Sequence, residues 1–356
     1  MANWAKHTFA KRKRLTEEGN WLLDTEGMMC MLRWGILSTG TIAKKFAETL
    51  NGMKGEAVFA AAASRDIEKA KAFAKEYGAA AAFGSYEEMA ASSEIDAVYI
   101  ATPNVFHFEH ALLCLDGGKH VLCEKPFTTN AEDARKLYDT AKAKNLLIMD
   151  GLWTMHLPMY AKIRRLISEG AIGEVRHIRA EFGFAPSGVR KDFKLDPSLG
   201  GGSLLDVGIY NIGFAAMVLG TNPASIQAHL NICGYGTDDL AGVLLSYPCG
   251  TTAALTSSIG ARMPVEGVIF GSQGLIHLPN YQMATIMTLH PQDGEPVEYK
   301  MPFDINGFEY QIREFTKCVS QGLLESSRLS PEFSIGIIQI MDDIRKACGL
   351  KFSFEN

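Results

Sequence analysis

Residues 120–127 read His-Val-Leu-Cys-Glu-Lys-Pro-Phe. The apolar run from Val121 to Cys123 stops abruptly at Glu124-Lys125-Pro126, so the pattern predicts a short buried strand with a charged pair at its carboxyl edge. In an open parallel sheet, ligands sit beyond the carboxyl ends of the strands, which aims this pair at a crevice. Pro126 offers no N–H to a ladder and biases Lys125 toward an extended backbone. Alone, Glu-Lys-Pro reads equally well as a solvated lysine after a strand, so its company has to decide. Further along, Gly200-Gly201-Gly202-Ser203 leads into Leu204-Leu205-Asp206-Val207-Gly208-Ile209-Tyr210. On a helix, Asp206 and Tyr210, four apart, project from one face. The plainer reading is an acid near a helix N-terminus and a buried tyrosine.

Oxidising a secondary alcohol needs a hydride acceptor, a group to take the hydroxyl proton and stabilisation of the developing alkoxide. A free Tyr has a pKa of about 10 and a free Lys of about 10.4, both too high for a base at neutral pH. An ammonium beside a phenol favours phenolate, so Lys125 facing Tyr210 across a cleft is expected to lower the Tyr210 pKa. Asp206 would hold a substrate hydroxyl or the lysine, and Trp153 would offer an apolar wall to a ring.

These groups need elements to position them. Residues 32–37 read as a strand, and Ser38-Thr39-Gly40-Thr41-Ile42-Ala43 as the turn into a helix on which Ile42, Phe46 and Leu50 repeat. A dinucleotide fingerprint places G-x-G-x-x-G/A here, so that backbone N–H groups and the helix end approach a pyrophosphate. The match is S-x-G-x-x-A, with Ser38 in place of the first glycine. Residues 57–63 form an unbroken apolar strand, as in a sheet covered on both faces. It ends at Ser64-Arg65-Asp66. A guanidinium there suits a 2′-phosphate, and Asp66 stands one step later in capping position, which favours NADP over NAD. A third strand, 95–101, ends in Thr102-Pro103-Asn104, and the next helix carries His107, His110 and Cys114. That trio shares a helical face but has no fourth ligand at recognisable spacing, so no metal site is assigned. Asn130 caps a further helix, and residues 146–149 make one more strand. Strands alternating with amphipathic helices predict a doubly wound parallel sheet of the Rossmann type.

After Asp150-Gly151-Leu152-Trp153 the rhythm changes. One helix spans about 156–170, and strands follow over 174–184, 225–232, 240–247, 251–259, 265–270 and 275–278. Short turns between several of them predict a mostly antiparallel sheet. Helices near 306–320 and 331–348 close the chain. The expected organisation is an extension over 1–30, a dinucleotide-binding domain over 31–151 and an α+β substrate and oligomerisation domain over 152–356. A chain of 356 residues fits two domains, and 47% hydrophobic with 21% charged residues describes a soluble globular protein. A net charge of −5 gives no electrostatic case for nucleic acid or an anionic membrane, and no apolar run is expected to approach the roughly 20 residues needed to span a bilayer. Seven scattered cysteines without C-x-x-C suggest reduced thiols in the cytoplasm.

Taken jointly, these motifs resemble the Gfo/Idh/MocA family, named for glucose–fructose oxidoreductase and inositol dehydrogenase. The resemblance covers nearly all of residues 32–356. It rests on the Gly40 turn, Ser64-Arg65, Ala101-Thr102-Pro103-Asn104 with His107, residues 118–126 ending in Glu124-Lys125-Pro126, residues 170–175, and Gly201-Gly202 before Asp206-Val207-Gly208. It implies a Rossmann domain, an open-faced antiparallel sheet, NAD(P), and Lys125 in the active site. Most members carry His where this chain has Tyr210. Tyr there is similar to the dimeric dihydrodiol dehydrogenase and NADP-dependent D-xylose dehydrogenase subgroup, in which that Tyr is the proposed acid/base. The resemblance implies cofactor contacts from Ser38, Thr39, Gly40, Thr41, Ile42, Ser64, Arg65, Thr102, Pro103, Asn104, His107, Glu124 and Lys125. It implies substrate contacts from Trp153, Arg176, Asp206 and Tyr210, and a homodimer or higher homo-oligomer. Met155 departs from the pattern, standing where a basic residue is expected. The expected function is hydride transfer between NADP (NAD the alternative) and a sugar, polyol or trans-dihydrodiol. The rival readings are a dinucleotide-binding sensor without activity and a sugar–sugar oxidoreductase with a tightly held cofactor.

Overall fold

The computed structural model describes residues 31–355, so the expectation for residues 1–30 lies outside the described residues. The first half alternates strand and helix: β1 (Arg33–Leu37), α1 (Thr41–Gly52), β2 (Val58–Ala63), α2 (Ile67–Tyr77), β3 (Ala81–Phe83), α3 (Tyr86–Ala91), β4 (Ala97–Ile100), α4 (His107–Asp116), β5 (His120–Glu124), α5 (Ala131–Ala143) and β6 (Ile148–Gly151). The six strands pair in the order β3-β2-β1-β4-β5-β6, all parallel. That order puts the switch point between β1 and β4, where a dinucleotide crosses such a sheet. β2, β4 and β5 are almost wholly buried because helices cover both faces. Asp66 caps α2 by accepting from the N–H groups of Glu68 (3.0 Å) and Lys69 (3.4 Å), and Asn130 caps α5 by accepting from Asp133 (2.8 Å).

The second half begins with α6 (Pro158–Ser168), β7 (Val175–Gly183), α7 (Val189–Leu195), a π-helical turn over Leu204–Gly208 and α8 (Ile209–Leu219). There follow β8 (Ser225–Ile232), β9 (Asp238–Ser246), β10 (Thr252–Ser258), β11 (Gly267–Gly271), β12 (Gly274–Leu278), β13 (Ile286–Pro291), β14 (Val297–Lys300), α9 (Glu309–Ser320) and α10 (Pro331–Cys348). Eight strands form one sheet, β14-β13-β12-β11-β7-β10-β9-β8, antiparallel except for the β7–β10 pair. Ala253 and Leu255 are buried on the face that receives α8, while Ala254 and its row neighbours Leu244, Arg179 and Val268 lie on the opposite face. The helices packed on this sheet, α8 and α10, also pack on each other.

One expectation needs correction. Residues Pro197–Leu219 are apolar and long enough to cross a membrane, yet this run is packed mostly inside the fold, where it carries the buried Asp206. The closing helices contact both halves: α10 packs on β8 and α8 as well as on α5, and residues near α9 and α10 reach the first half. The Phe315 ring meets Trp34 at 4.9 Å, Ser334 donates to Asp150 at 2.5 Å, and Arg313 pairs with Glu56 at 2.7 Å. The halves therefore share an interface to which α9 and α10 contribute.

Candidate active site

Lys125 follows the last residue of β5, and Asp206 lies in the π-helical turn of the other half. The Lys125 Nζ donates to the main-chain oxygen of Asp206 at 2.6 Å and to its carboxylate at 3.2 Å, and stands 4.9 Å from the centre of the Tyr210 ring. Such turns are rare and cluster at functional sites. This one presents Asp206 to Lys125 with both its backbone and its side chain.

Burial raises the Asp206 carboxyl, but two ammonium groups, Lys125 and Lys194, more than offset it and hold the group below the usual carboxylate range. Lys194 Nζ sits 2.7 Å from Asp206 Oδ1. Lys194 is a residue that the sequence did not single out: it comes from the seven-residue helix α7, too short to show a periodicity. Around it, Pro103, Asn104, Phe193, Leu199, Gly201 and Asp206 line a cavity of about 30 Å³.

Tyr210 is 6% exposed. Its phenol stands well above its ordinary pKa, first through burial and then through the charge of Glu124, with the Trp153 indole opposing. The expected lowering is not what the chain shows: burial and the charges of Glu124 and Asp206 push the phenol up. Glu124 is itself buried and takes a hydrogen bond from Tyr99. Burial raises its carboxyl, against the pull of Tyr99 and Lys125. Trp153 does not form an exposed wall. Its ring is buried, stacked on Phe308 at 5.2 Å, and its Nε1–H donates to the Tyr210 hydroxyl at 3.3 Å. Lys45, a second residue that the sequence did not single out, lies over the Trp153 and Phe308 rings at 4.7 and 4.3 Å.

The nucleotide-binding positions gather at the carboxyl edge of the parallel sheet. Gly40 precedes α1 without a side-chain cap, and a Cβ built on it meets only Ser38 Oγ at 3.8 Å. The turn therefore leaves room for a pyrophosphate over an uncapped helix start, flanked by Thr39, Thr41 and Ile42. Ser38, at the first-glycine position, has φ of 97°, a backbone normally left to glycine. At the tip of β2, Ser64 Oγ accepts from the Asp66 N–H at 3.3 Å, and the Asp66 carboxylate is committed to its cap. Arg65 is exposed and makes no ion pair among the described residues. A free guanidinium beside a committed carboxylate fits a 2′-phosphate better than a bare ribose.

Three other candidates sit differently from what their roles would need. His107 is fully buried, and its ring nitrogens lie 2.8 Å from the Pro126 oxygen and 2.9 Å from the Thr102 oxygen. It ties the loop after β4 to the loop after β5 instead of facing the crevice. Asn104 Nδ2 donates to the Gly200 oxygen at 2.9 Å, joining the two halves. Arg176 is not brought to the site. It pairs with Glu174 at 2.6 Å near the start of β7, whereas Phe182, which meets the Tyr210 ring at 5.8 Å, is six residues on. On a strand that separation is about 20 Å.

Residues 32–152 match an oxidoreductase family with an NAD-binding Rossmann fold, and residues 160–277 match the GFO/IDH/MocA C-terminal domain. The chain belongs to the Gfo/Idh/MocA oxidoreductase family. Within that family its relatives include a trans-1,2-dihydrobenzene-1,2-diol dehydrogenase of Danio rerio, 35% identical over 332 residues and spanning 90% of this chain and 98% of the relative. The Homo sapiens protein of the same name is 33% identical over 331 residues, with the same two shares. Among solved structures, a 3-ketoreductase from Actinomadura kijaniata in complex with NADP and TDP-benzene superposes with a TM-score of 0.80 at 28% identity, covering 90% of this chain and 98% of its own. Relatives named as dehydrogenases and a ketoreductase support an oxidoreductase over a sensor without activity.

Proposed function

We propose that this protein is an NADP-dependent oxidoreductase that moves a hydride between the nicotinamide and a secondary alcohol or carbonyl of a sugar, polyol or trans-dihydrodiol. The observation that carries this reading is the convergence of Lys125, Asp206 and Tyr210, from two halves of the chain, on the sheet edge that also carries the uncapped Gly40 turn and Arg65. Relatives named as dihydrodiol dehydrogenases and a ketoreductase solved with NADP support the same substrate and cofactor classes.

The bound nicotinamide supplies or accepts the hydride. The rest of the chemistry belongs to side chains. Tyr210 gives a proton to the carbonyl oxygen on reduction and takes it back on oxidation; its high pKa in the ligand-free chain keeps it protonated, ready for reduction. Lys125, released in part from Asp206, hydrogen-bonds the same oxygen and stabilises developing alkoxide. Asp206 holds Lys125 and accepts from a substrate hydroxyl. Trp153 orients the Tyr210 hydroxyl from behind. On this reading residues 31–151 bind the cofactor and residues 152–356 present the substrate, with the last two helices bracing the first half.

The open face of the eight-stranded sheet, with the half-buried Leu244, Phe270 and Leu275, is assigned to a second copy of the chain, giving a homodimer. A soluble dimer with free thiols fits the cytoplasm. The reading is tested by following NADPH absorbance, in both directions and with NADH alongside, over a panel of sugars, polyols, dihydrodiols and dicarbonyls. Turnover with NADPH on at least one class is expected, and none on any of them overturns the proposal.

A further inference from the structure

We propose that Asp238, from the first position of β9, is a positioning residue that sets the height of the turn carrying Asp206 and Tyr210. The inference rests on the reading of Lys125, Asp206 and Tyr210 given above and extends it to a residue that touches none of them.

The turn over Leu204–Gly208 starts directly after Gly201-Gly202-Ser203 and has no side-chain cap of its own. Its first N–H, that of Leu204, is instead taken by Asp238 Oδ2 at 2.7 Å, from a strand more than thirty positions away in sequence. The neighbouring Thr237 Oγ1 donates to the Gly201 oxygen at 2.9 Å. Asp238 is 1% exposed, and its other oxygen meets no donor among the described residues. That oxygen and Thr237 Oγ1 fill the space where a side chain on Gly202 would begin. A Cβ there would contact Asp238 Oδ1 and stand 2.6 Å from Thr237 Oγ1, on a backbone whose φ is 125°. The pair Thr237-Asp238 thus grips Gly201, Gly202 and Leu204, and Asp206 follows the gripped Leu204 by only two. Behind the grip, Ser203 Oγ bonds Ser257 Oγ at 2.9 Å, closing the turn against β10.

The height of this turn fixes where the Asp206 oxygen meets Lys125 Nζ and therefore where that ammonium stands beside the reacting oxygen. Displacements of about 1 Å in such a group cost on the order of a hundredfold in rate. Burial lifts the Asp238 carboxyl to about 7, so a neutral amide of the same shape is a close mimic and keeps an oxygen for the Leu204 N–H.

The test compares Asp238→Asn with Asp238→Ala, and adds Gly202→Ala to disturb the same grip from the other side. Expected are a kcat within about threefold of wild type for Asp238→Asn and a loss of tenfold or more for both alanine variants. The KM for NADPH stays unchanged throughout. Wild-type kcat in Asp238→Ala overturns the proposal, as does a loss in Asp238→Asn as deep as that in Asp238→Ala. If kcat, NADPH affinity and melting temperature fall together in both alanine variants, the role is general structure and the proposal fails. If the wild type turns over nothing, the functional reading fails separately. A crystal structure of Asp238→Ala then judges the positioning alone: Lys125 still bonded to the Asp206 main-chain oxygen refutes it, and separation of the two supports it.

Discussion

Lys125 and Asp206 stand on opposite halves of the molecule and are bonded twice, at 2.6 Å to the main-chain oxygen and at 3.2 Å to the carboxylate. The contact joins the edge of a parallel sheet to a π-helical turn, and Tyr210 is placed one helical turn beyond it. A hydride-transfer centre assembled across an interface in this way depends on each half being held still, and the proposed roles can be tested one at a time.

Tyr210→Phe removes the phenol hydroxyl of the ring beside Lys125 while keeping the ring that packs against Phe182. The expected outcome is a loss in kcat of about 10²–10⁴ fold, the range for general acid–base groups. NADPH binding, followed by quenching of intrinsic fluorescence, is expected to be unchanged; an unchanged kcat would dismiss the assignment of Tyr210.

Arg65 is the cation at the tip of β2 whose neighbouring carboxylate, that of Asp66, is already committed to capping α2. A charge-assisted bond to phosphate is worth about 1.5–3 kcal/mol. Arg65→Gln should therefore raise the Kd for NADPH by about 10–100 fold and leave that for NADH nearly as it was. Equal weakening of both, measured by titration calorimetry, counts against a 2′-phosphate contact.

Ser38 pays for a backbone that glycine adopts freely, φ 97°. Strain of this kind costs on the order of 1–3 kcal/mol, partly offset in a Ser38→Gly variant by the greater freedom of glycine in the unfolded chain. The variant is expected to gain about 1 kcal/mol, read as a higher melting temperature with cofactor binding intact. A lower melting temperature would mean that the hydroxyl contributes more than the strain costs.

Asp150 is buried beneath the site, and burial raises its carboxyl to about 7 despite bonds from Ser334 and the Leu152 N–H. An acid whose folded pKa is raised binds its proton longer in the native state. Its effect is full below the unfolded carboxylate range, and stability is lost as pH rises from about 4 to about 7. His110 and His120, held near 4 by burial, act in the opposite sense, removing stability as pH falls below about 6.5. Asp150→Asn isolates the first effect: relative to wild type it should gain at least about 1 kcal/mol at pH 8 compared with pH 5 by urea unfolding. Parallel curves for the two proteins would show that Asp150 is ionised at no net cost.

Leu244 lies on the sheet face opposite α8, level with Ala254 and, through it, Arg179 and Val268. Leu244→Glu puts a charge where two copies would meet, and a buried unpaired charge is not tolerated in an interface core. The variant is expected to run as a monomer in light scattering while wild type runs as a dimer. A wild-type monomer, or a dimer indifferent to the substitution, argues against this face as the contact.

The sequence alone determined what depends on near neighbours in the chain. Residues 57–63 read as a strand buried on both sides, which holds from Phe59 to Ala63; Asp66 and Asn130 are caps wherever their helices go, and the break at Glu124-Lys125-Pro126 marks a strand edge in any parallel sheet. The Ser64-Arg65 tip and the Gly40 turn were legible for the same reason, and with them the dinucleotide fold. β3, a strand of three residues, and the short helix α7 left no periodic trace, so Lys194 stayed hidden. Tertiary structure decided the rest. That Lys125 would find the Asp206 backbone as well as its carboxylate required a π-helical turn, and its Leu204 N–H is gripped from another strand. That Trp153 would be buried behind Tyr210, and Arg176 left at the far end of β7, followed from how the second sheet docks on the first. Local pattern fixes which way a side chain leaves its own element. Which other side chain it meets, and so what happens to its charge, depends on packing between residues far apart in the chain.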